Sequence, residues 1–351
     1  CFTGVAARGA ELQYNGFMVA LNQIVNSGYS KYYDFEVIKG DDENDATTAV
    51  SVANKSVHQD GVHVVYGHLN AVQTLAALPV YEDARVPCLT PSVSLAIVQS
   101  GFQYVYQICP NDIVTCRTLA KYLVEERGFD NIAILYSNNE QGYSARDAIA
   151  AVLKEYNMDF GCEEQYGVTD IDFSGQLLRI KEKKCDAVII WGGDPAGHSN
   201  IAGQIRQLFD YDILICGDSQ FTTASFLETT SDEVKEGIEC MVAWSPSFTD
   251  EASKRFVEEF KAMDSQGAAP GDMSARGYDA MYLLATALNN LGPYDVNADD
   301  FTEKLNEQLK LASYDGLQGT VKADENGACL SSCYVARITK GNNLEVVYGD
   351  K

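Results

Sequence analysis

The sequence has 351 residues, which exceeds the size of most single hydrophobic cores and predicts two domains. Hydrophobic residues make up 46% and charged residues 22%, as in ordinary globular proteins, and no apolar run is long enough to cross a bilayer. The 50 acidic residues outnumber the 26 basic ones and give a net charge of −24, which argues against nucleic acid or an anionic membrane as a partner.

Helix and strand patterns alternate through the first third of the chain. Asp45 is suited to cap the second of these helices, and Pro110 and Asn111 break the pattern at the first expected domain boundary. The predicted elements are a helix at 11–26, a strand at 35–40, a helix at 45–57, a strand at 62–67, a helix at 70–84, and strands at 87–91 and 102–109.

The same alternation repeats further along the chain. The predicted elements are helices at 113–127, 144–156, 173–184, 200–209 and 274–292, and strands at 131–137, 160–167, 185–193 and 212–218. This order indicates βαβ units and mainly parallel sheets, with too many strands for one open sheet. We therefore predict two doubly wound α/β domains. Residues 319–349 differ, since they have the pattern of antiparallel strands with turns at Asn326-Gly327 and Gly341-Asn342.

The ten cysteines and four histidines do not form a recognisable metal or redox motif. No CxxC spacing occurs and no histidine pairs with two nearby cysteines, so neither a structural metal nor a cofactor is expected. Cys88, Cys185 and Cys216 lie in or beside strand patterns, where a thiol behaves as a small apolar group. The sequence does not decide whether Cys329 and Cys333 form a disulfide.

Small and polar residues follow four predicted strands, at the end of a parallel sheet where ligands bind. Ser92, Ser94 and the N–H groups of a following helix suit a carboxylate, whereas Asp194 and Asp218 suit an ammonium group. The alternative is that these residues are ordinary helix caps and turns. The four junctions are Gly67-His68-Leu69-Asn70-Ala71, Thr90-Pro91-Ser92-Val93-Ser94, Gly192-Gly193-Asp194-Pro195 and Gly217-Asp218-Ser219-Gln220.

Enzyme signatures are weak in this sequence. No GxGxxG follows a strand and no GxxxxGK[ST] phosphate loop occurs, which argues against a nucleotide-binding enzyme. The GDSQ segment at 217–220 is similar to a serine-hydrolase block, but no histidine follows it in the chain. A hydrolase that uses Ser219 and His68 is one alternative. Packing or hydrogen bonding beside the strand end is the simpler interpretation of His68.

Seven stretches, in their order and spacing along nearly the whole chain, resemble the periplasmic branched-chain amino-acid binding proteins, the type I solute-binding subunits of ABC importers. The resemblance implies two lobes joined by a three-segment hinge, with residues 1–111 and 245–316 in lobe one and residues 112–244 and 317–351 in lobe two. The stretches are TGVAARGAELQYNGFMVALNQI, VVYGHLNAVQTLAALPVYED, CLTPSVS, NIAILYSNNEQGYSARDA, DFSGQLLRIKEKKCDAVIIWGG, ARGYDAMYLLATAL and GTVKADENG.

In that family the two lobes close over the ligand. The α-carboxylate and the ammonium group of the ligand are held mainly by the two junctions of lobe one. Lobe two adds residues after its strands, and the loop after the first strand adds one more. The corresponding positions here are Arg8, Asn70, Ala71, Ser92, Val93, Ser94, Gln141, Asp194, Asp218 and Ser219.

Four departures from the family pattern occur at these positions. The usual acid of the 217–219 turn is displaced by one, which gives Asp218 and Ser219. Ala71 stands where a hydroxyl residue is usual, and Gln141 stands where a tyrosine is common. Arg8 is a cation where amino-acid binders often have a neutral residue. An additional cation fits a ligand with a second carboxylate, or one without an ammonium group.

The resemblance implies a non-catalytic, monomeric, extracytoplasmic solute-binding protein that captures an amino acid or related carboxylate between its lobes and passes it to ABC permease subunits in the membrane. It would be periplasmic, or lipid-anchored at the outer face of the cell membrane. Cys1 is disfavoured as the anchor, because it falls at the end of an expected strand. A ligand-sensing receptor ectodomain with the same fold is the alternative.

Overall fold

The computed structural model describes residues 2–3, 7–329 and 331–349, and the expectation about Cys1 lies outside them. The chain forms two compact units. Unit 1 comprises Cys1–Asn111 and Phe248–Ser332, and unit 2 comprises Asp112–Ser247 and Cys333–Lys351. The chain thus passes between the units after residues 111, 247 and 332, against expected boundaries after residues 111, 244 and 316.

Helices and strands alternate in both units. The helices are α1 (Ala7–Ser27), α2 (Ala46–His58), α3 (Ala71–Asp83), α4 (Leu95–Gln99), α5 (Asp112–Lys121), α6 (Glu140–Glu155), α7 (Ser174–Glu182), α8 (Pro195–Leu208), α9 (Ala224–Thr229), α10 (Asp232–Lys235), α11 (Glu251–Met263), α12 (Asp272–Leu291) and α13 (Phe301–Leu311). The strands are β1 (Val65–Tyr66), β2 (Cys88–Thr90), β3 (Val105–Gln107), β4 (Ile132–Ser137), β5 (Cys162–Tyr166), β6 (Ala187–Trp191), β7 (Leu214–Gly217), β8 (Glu239–Val242), β9 (Ser313–Gly316), β10 (Gly319–Lys322), β11 (Tyr334–Thr339) and β12 (Asn343–Tyr348).

Unit 1 is built on a parallel three-stranded sheet in the order β1-β2-β3. Helix α12 is buried on most of its surface and packs closely against α1. Glycines permit this approach. A Cβ on Gly16 would lie 2.0 Å from the carbonyl oxygen of Ser274, and one on Gly277 would lie 2.3 Å from that of Gln13. The sequence pattern that predicted a strong helix at 274–292 is confirmed, and Gly292 ends that helix with φ +73°.

Residues 317–332 belong to unit 1 because their hydrogen bonds lie there. Strand β10 pairs with β9 in an antiparallel ladder. The Gln107 N–H donates to the Gly327 carbonyl at 2.8 Å, and the Cys329 N–H donates to the Gln107 carbonyl at 2.9 Å. The expected turn at Asn326-Gly327 therefore closes a short bridge between Ala323 and Cys329 instead of joining two long strands.

Unit 2 contains a seven-stranded sheet in the order β12-β11-β8-β7-β6-β4-β5. The strands from β5 to β8 are parallel, while β11 runs antiparallel to both β8 and β12. Strand β6 is buried at every residue, as expected for a parallel strand covered on both faces. The hairpin turn predicted at Gly341-Asn342 joins β11 to β12.

Some predicted elements differ from the structure. Residues 35–40 form no strand, because no neighbouring strand in the described part of unit 1 pairs with them. The helix predicted at 113–127 is α-helical only to Lys121 and continues as a π-helical turn at Tyr122–Glu126. Cys329 and Cys333 are thiols and do not form the disulfide that was left open. Within residues 2–3, 7–329 and 331–349, no helix combines the length and apolar character of a membrane span.

Candidate ligand-binding site

The two strand–helix junctions of unit 1 lie side by side. Strands β1 and β2 are neighbours, so the segments that leave their carboxyl ends share one edge of the sheet. Thr74 Oγ1, on the first turn of α3, donates to the Asn70 carbonyl at 2.9 Å and lies 3.4 Å from Thr90 Oγ1. The Ser92 N–H donates to Thr90 Oγ1 at 3.3 Å. We call residues 67–74 and 90–95 the junction wall.

The amino end of α3 has no side-chain cap. Asn70 occupies the N-cap position, but its amide turns away and donates to Asn44 Oδ1 at 2.7 Å. The first N–H groups of this 13-residue helix therefore receive no acceptor from the cap residue. Because the helix dipole also places partial positive charge there, this end of the junction wall suits an anion.

Two serine hydroxyls lie on the second junction. Ser92 is only 6% exposed, and its hydroxyl has no hydrogen-bond partner in the described chain. Ser94 is at the N-cap position of α4 and makes no side-chain cap bond. The Ser92 hydroxyl oxygen keeps some access to solvent, so it is available to water or to a ligand.

His68 supports the junction wall from behind. Its Nδ1 lies 2.5 Å from Asp42 Oδ2, and its Nε2 lies 3.0 Å from the Tyr81 hydroxyl. Burial works to raise the pKa of Asp42, but hydrogen bonds from His68 and from the Asn44 N–H outweigh it and hold that pKa well below its ordinary value. Both ring nitrogens of His68 are thus engaged within unit 1. Packing and hydrogen bonding beside the strand end, the simpler interpretation of His68, describe these contacts.

Arg276 of α12 is buried behind the second junction. Its Nη1 donates to the Pro91 carbonyl at 3.0 Å, and its Nη2 is paired with Asp272. Burial alone would lower the pKa of Arg276, but the Asp272 carboxylate raises it above the ordinary value. The guanidinium is therefore a fixed positive charge that holds the backbone of the Thr90-Pro91-Ser92 turn.

Gln107, at the end of β3, completes the support of the second junction. Its side chain is fully buried, and its amide nitrogen donates to the Ser92 carbonyl at 2.7 Å and to the Ser94 carbonyl at 2.9 Å. Two acceptors around one nitrogen fix the orientation of the amide. Gln107 thereby holds both serines of the junction wall through their backbone.

Arg8 does not stand as the uncompensated cation that the sequence suggested. Its two terminal nitrogens bind the two carboxylate oxygens of Asp264 at 2.9 and 3.1 Å, and Nη1 also contacts Glu11 at 2.7 Å. The hydrogen bonds from Arg8 lower the pKa of Asp264 despite the burial of that carboxylate. The charge of Arg8 is thus compensated within unit 1. A contact between Arg8 and a ligand stays a prediction.

The two acids predicted to bind an ammonium group act within unit 2 as backbone acceptors. Asp194 caps α8, since its Oδ1 accepts the Gly197 N–H at 2.7 Å. Asp218 is 5% exposed, and its two oxygens accept the N–H groups of Gly192 at 2.8 Å and Gln220 at 3.0 Å. His198 Nε2 lies 3.1 Å from Asp218 Oδ1. Here the ordinary cap-and-turn interpretation describes what the side chains do.

The other two predicted residues of unit 2 lie beside capped helix ends. Gln141 is in the first turn of α6, which Asn139 caps by accepting the Gly142 N–H at 3.0 Å. Ser219 begins a short 3-10 helix capped by Asp218. Neither side chain has a hydrogen-bond partner in the described chain, so their role in binding stays a prediction. In that same part of the chain, no three His, Cys, Asp or Glu side chains come together as metal ligands.

A family model described as periplasmic binding protein matches residues 1–343 of the chain. The chain belongs to the periplasmic binding protein family. The family recognised from the sequence and the predicted fold class of two parallel-sheet α/β units are thereby confirmed.

Known relatives of this periplasmic binding protein are solute-binding proteins. The leucine-specific-binding protein of Salmonella typhimurium is 27% identical over 330 residues, which cover 93% of this chain and 85% of the relative. An ABC transporter substrate-binding protein from Sphaerobacter thermophilus superposes with a TM-score of 0.88 at 18% identity, covering 99% and 95% of the two chains. A solute-binding protein of an ABC transporter from Rhodopseudomonas palustris, solved with 3,4-dihydroxybenzoic acid, gives a TM-score of 0.84 at 21% identity, covering 100% and 95%.

The sequence did not single out three residues that shape the site of this periplasmic binding protein, namely Asp42, Gln107 and Arg276. Gln107 and Arg276 are polar residues inside apolar strand and helix patterns, a signal that marks a buried polar contact. This signal does not identify the partner of the buried polar group. For both Gln107 and Arg276, the partner is a backbone carbonyl of the second junction.

Proposed function

We propose that this chain captures a small carboxylate at the junction wall of unit 1. The observation that carries the proposal is the Ser92 hydroxyl, which has no partner in the described chain and keeps some access to solvent, next to a helix end without a side-chain cap. A carboxylate accepts hydrogen bonds from hydroxyl and backbone N–H donors and is stabilised at a helix amino end. One ligand group thus satisfies donors of both junctions.

We further propose that the protein works outside the cytoplasm as a monomer and delivers its ligand to ABC permease subunits. The family description and the leucine-specific-binding relative support the location and the transport role. A binding role without catalysis is favoured by the family description and by the leucine-specific-binding relative.

The test is titration calorimetry with L-leucine, L-phenylalanine, 4-methylpentanoate and benzoate as probes, after a thermal-shift screen of the same four. A bound probe raises the melting temperature by mass action. We expect Ser92→Ala to weaken the binding of the best probe by about 1–2 kcal/mol, roughly 5- to 30-fold in Kd, because a hydrogen bond to a charged group is lost.

Ser51→Ala is the matched control. Ser51 lies in the same unit on the exposed face of α2, where its hydroxyl donates to the Thr47 carbonyl. This variant should bind each probe as the wild type does. Equal Kd values for the wild type and Ser92→Ala would remove Ser92 from the site, and no thermal shift with any of the four probes would contradict the proposed function.

A further inference from the structure

Five carbonyl oxygens of the junction wall, which could otherwise accept from an ammonium group, are engaged inside unit 1. They lie on both junctions. The pairs are Gly67 O with Cys88 Sγ at 3.1 Å, His68 O with Thr90 Oγ1 at 3.2 Å, Asn70 O with Thr74 Oγ1 at 2.9 Å, Thr90 O with the Ile108 N–H at 2.8 Å and Pro91 O with Arg276 Nη1 at 3.0 Å.

Gln107 adds the most specific of these contacts. Its amide nitrogen engages the carbonyl oxygens of Ser92 and Ser94, the two residues whose hydroxyls face no acceptor in the described chain. An ammonium group that approached these carbonyls would compete with the two amide hydrogens of Gln107. The second junction therefore offers hydroxyl donors, while the carbonyls beside them are already engaged.

The carboxylate next to the first junction is engaged as well, since Asp42 is bonded to His68. The charge of Arg8 is compensated by Asp264 and Glu11, so it does not call for a second carboxylate on the ligand. The charges of these residues thus favour a ligand with a single negative group.

Two apolar residues lie next to donor positions in the chain. Val72, at the second position of α3, is 64% exposed, and Val93 lies half-buried between the two serines. We infer that the physiological ligand is a monocarboxylic acid with an apolar body and no α-ammonium group. This inference rests on the proposed function and narrows its ligand class from amino acids and related carboxylates to carboxylates without the amine.

The test compares pairs of ligands that differ only in the ammonium group. Calorimetry on the full chain would use L-leucine against 4-methylpentanoate, and L-phenylalanine against 3-phenylpropanoate. In at least one pair we expect the acid without the amine to bind at least about tenfold more tightly, because the ammonium group of the amino acid would have to compete with Gln107 for the Ser92 and Ser94 carbonyls. Tighter or equal binding of the amino acid in both pairs would overturn the inference and leave the proposed function standing. Absence of binding by all four compounds and by benzoate would overturn both.

A pair of variants tests whether Gln107 causes the preference for the acid over the amino acid. Gln107→Met keeps the volume of the side chain and releases the carbonyls of Ser92 and Ser94, so the preference for the acid over the amino acid should shrink by roughly tenfold. Gln103→Met is the control, since Gln103 is exposed and its amide contacts only the nearby Gly101 carbonyl. An unchanged preference in Gln107→Met would overturn the assigned role of Gln107. If this variant does not fold, the ligand pairs on the wild type decide the inference.

Discussion

The strand–helix junctions of the two units look alike in the sequence but are used differently in the structure. In unit 2, Asn139 and Asp194 cap the helices that they precede, and Asp218 closes the turn after β7. In unit 1, Asn70 occupies the cap position without capping, and the hydroxyls of Ser92 and Ser94 bind no protein group in the described chain.

This difference separates structural from functional polar residues. A side chain that caps its own helix has used its hydrogen-bonding capacity and adds to the stability of the fold. A residue of cap type that leaves the helix end open keeps N–H groups available for a ligand. The comparison predicts that substitutions at the junctions of unit 2 change mainly stability, whereas those of unit 1 that spare its buried support change mainly binding.

The largest expected effect concerns the buried support of unit 1. Arg276→Met removes the guanidinium that neutralises Asp272 and holds the Pro91 carbonyl, so the free energy of unfolding should fall by about 3–5 kcal/mol. Urea denaturation measures this change. Arg255→Met is the control, because its ion pair with Glu259 is exposed and should contribute only about 0.3–0.5 kcal/mol. Similar losses in the two variants would contradict the role given to Arg276.

A smaller effect is expected at the turn of unit 2. Asp218→Asn replaces one accepting oxygen with an NH₂ group, so a buried backbone N–H of Gly192 or Gln220 loses its acceptor. The free energy of unfolding should fall by about 2 kcal/mol, while the Kd for the best carboxylate probe stays near the wild-type value. Asp212→Asn, at an exposed site just before β7, should change neither quantity. A large change in Kd with unchanged stability would show that Asp218 binds the ligand directly.

The fold was largely predictable because the signals that specify it are local. Buried parallel strands such as Ala187–Trp191 are continuous apolar runs, and amphipathic helices alternate with them. The failed strand at 35–40 has a suitable composition, but a strand also needs a partner, and pairing is not encoded in six residues. The π-helical turn at Tyr122–Glu126 gives no sequence signal that distinguishes it from an α-helix.

The candidate site was predictable in position but not in its hydrogen bonds. Strand ends could be located, and the structure places the turn of Thr90 and Ser92 beside the first turn of α3. Whether a side chain caps, pairs or stays available depends on contacts between distant parts of the chain. Arg276 meets Pro91 across 185 residues, and Arg8 meets Asp264 across 256. Such contacts follow from the packing of α12 and α11 against the rest of unit 1, which no local pattern specifies.

The smallest effect is expected from the Arg8–Asp264 pair and should depend on pH. The folded-state pKa of Asp264 lies below its ordinary value, mainly because Arg8 donates hydrogen bonds to the carboxylate. Its contribution to stability is therefore present above the ordinary carboxyl pKa of about 4 and is lost as the pH falls through the lower folded-state value. Urea midpoints for the wild type and Asp264→Asn should differ at pH 7, and the difference should shrink as the pH falls below about 4. In Asp159→Asn, where the ion pair with Lys154 is exposed, the midpoints should match the wild type throughout. A gap between the wild type and Asp264→Asn that persists undiminished at pH 3 would mean that the Asp264 side chain stabilises unit 1 through packing or neutral hydrogen bonds and not through its charge.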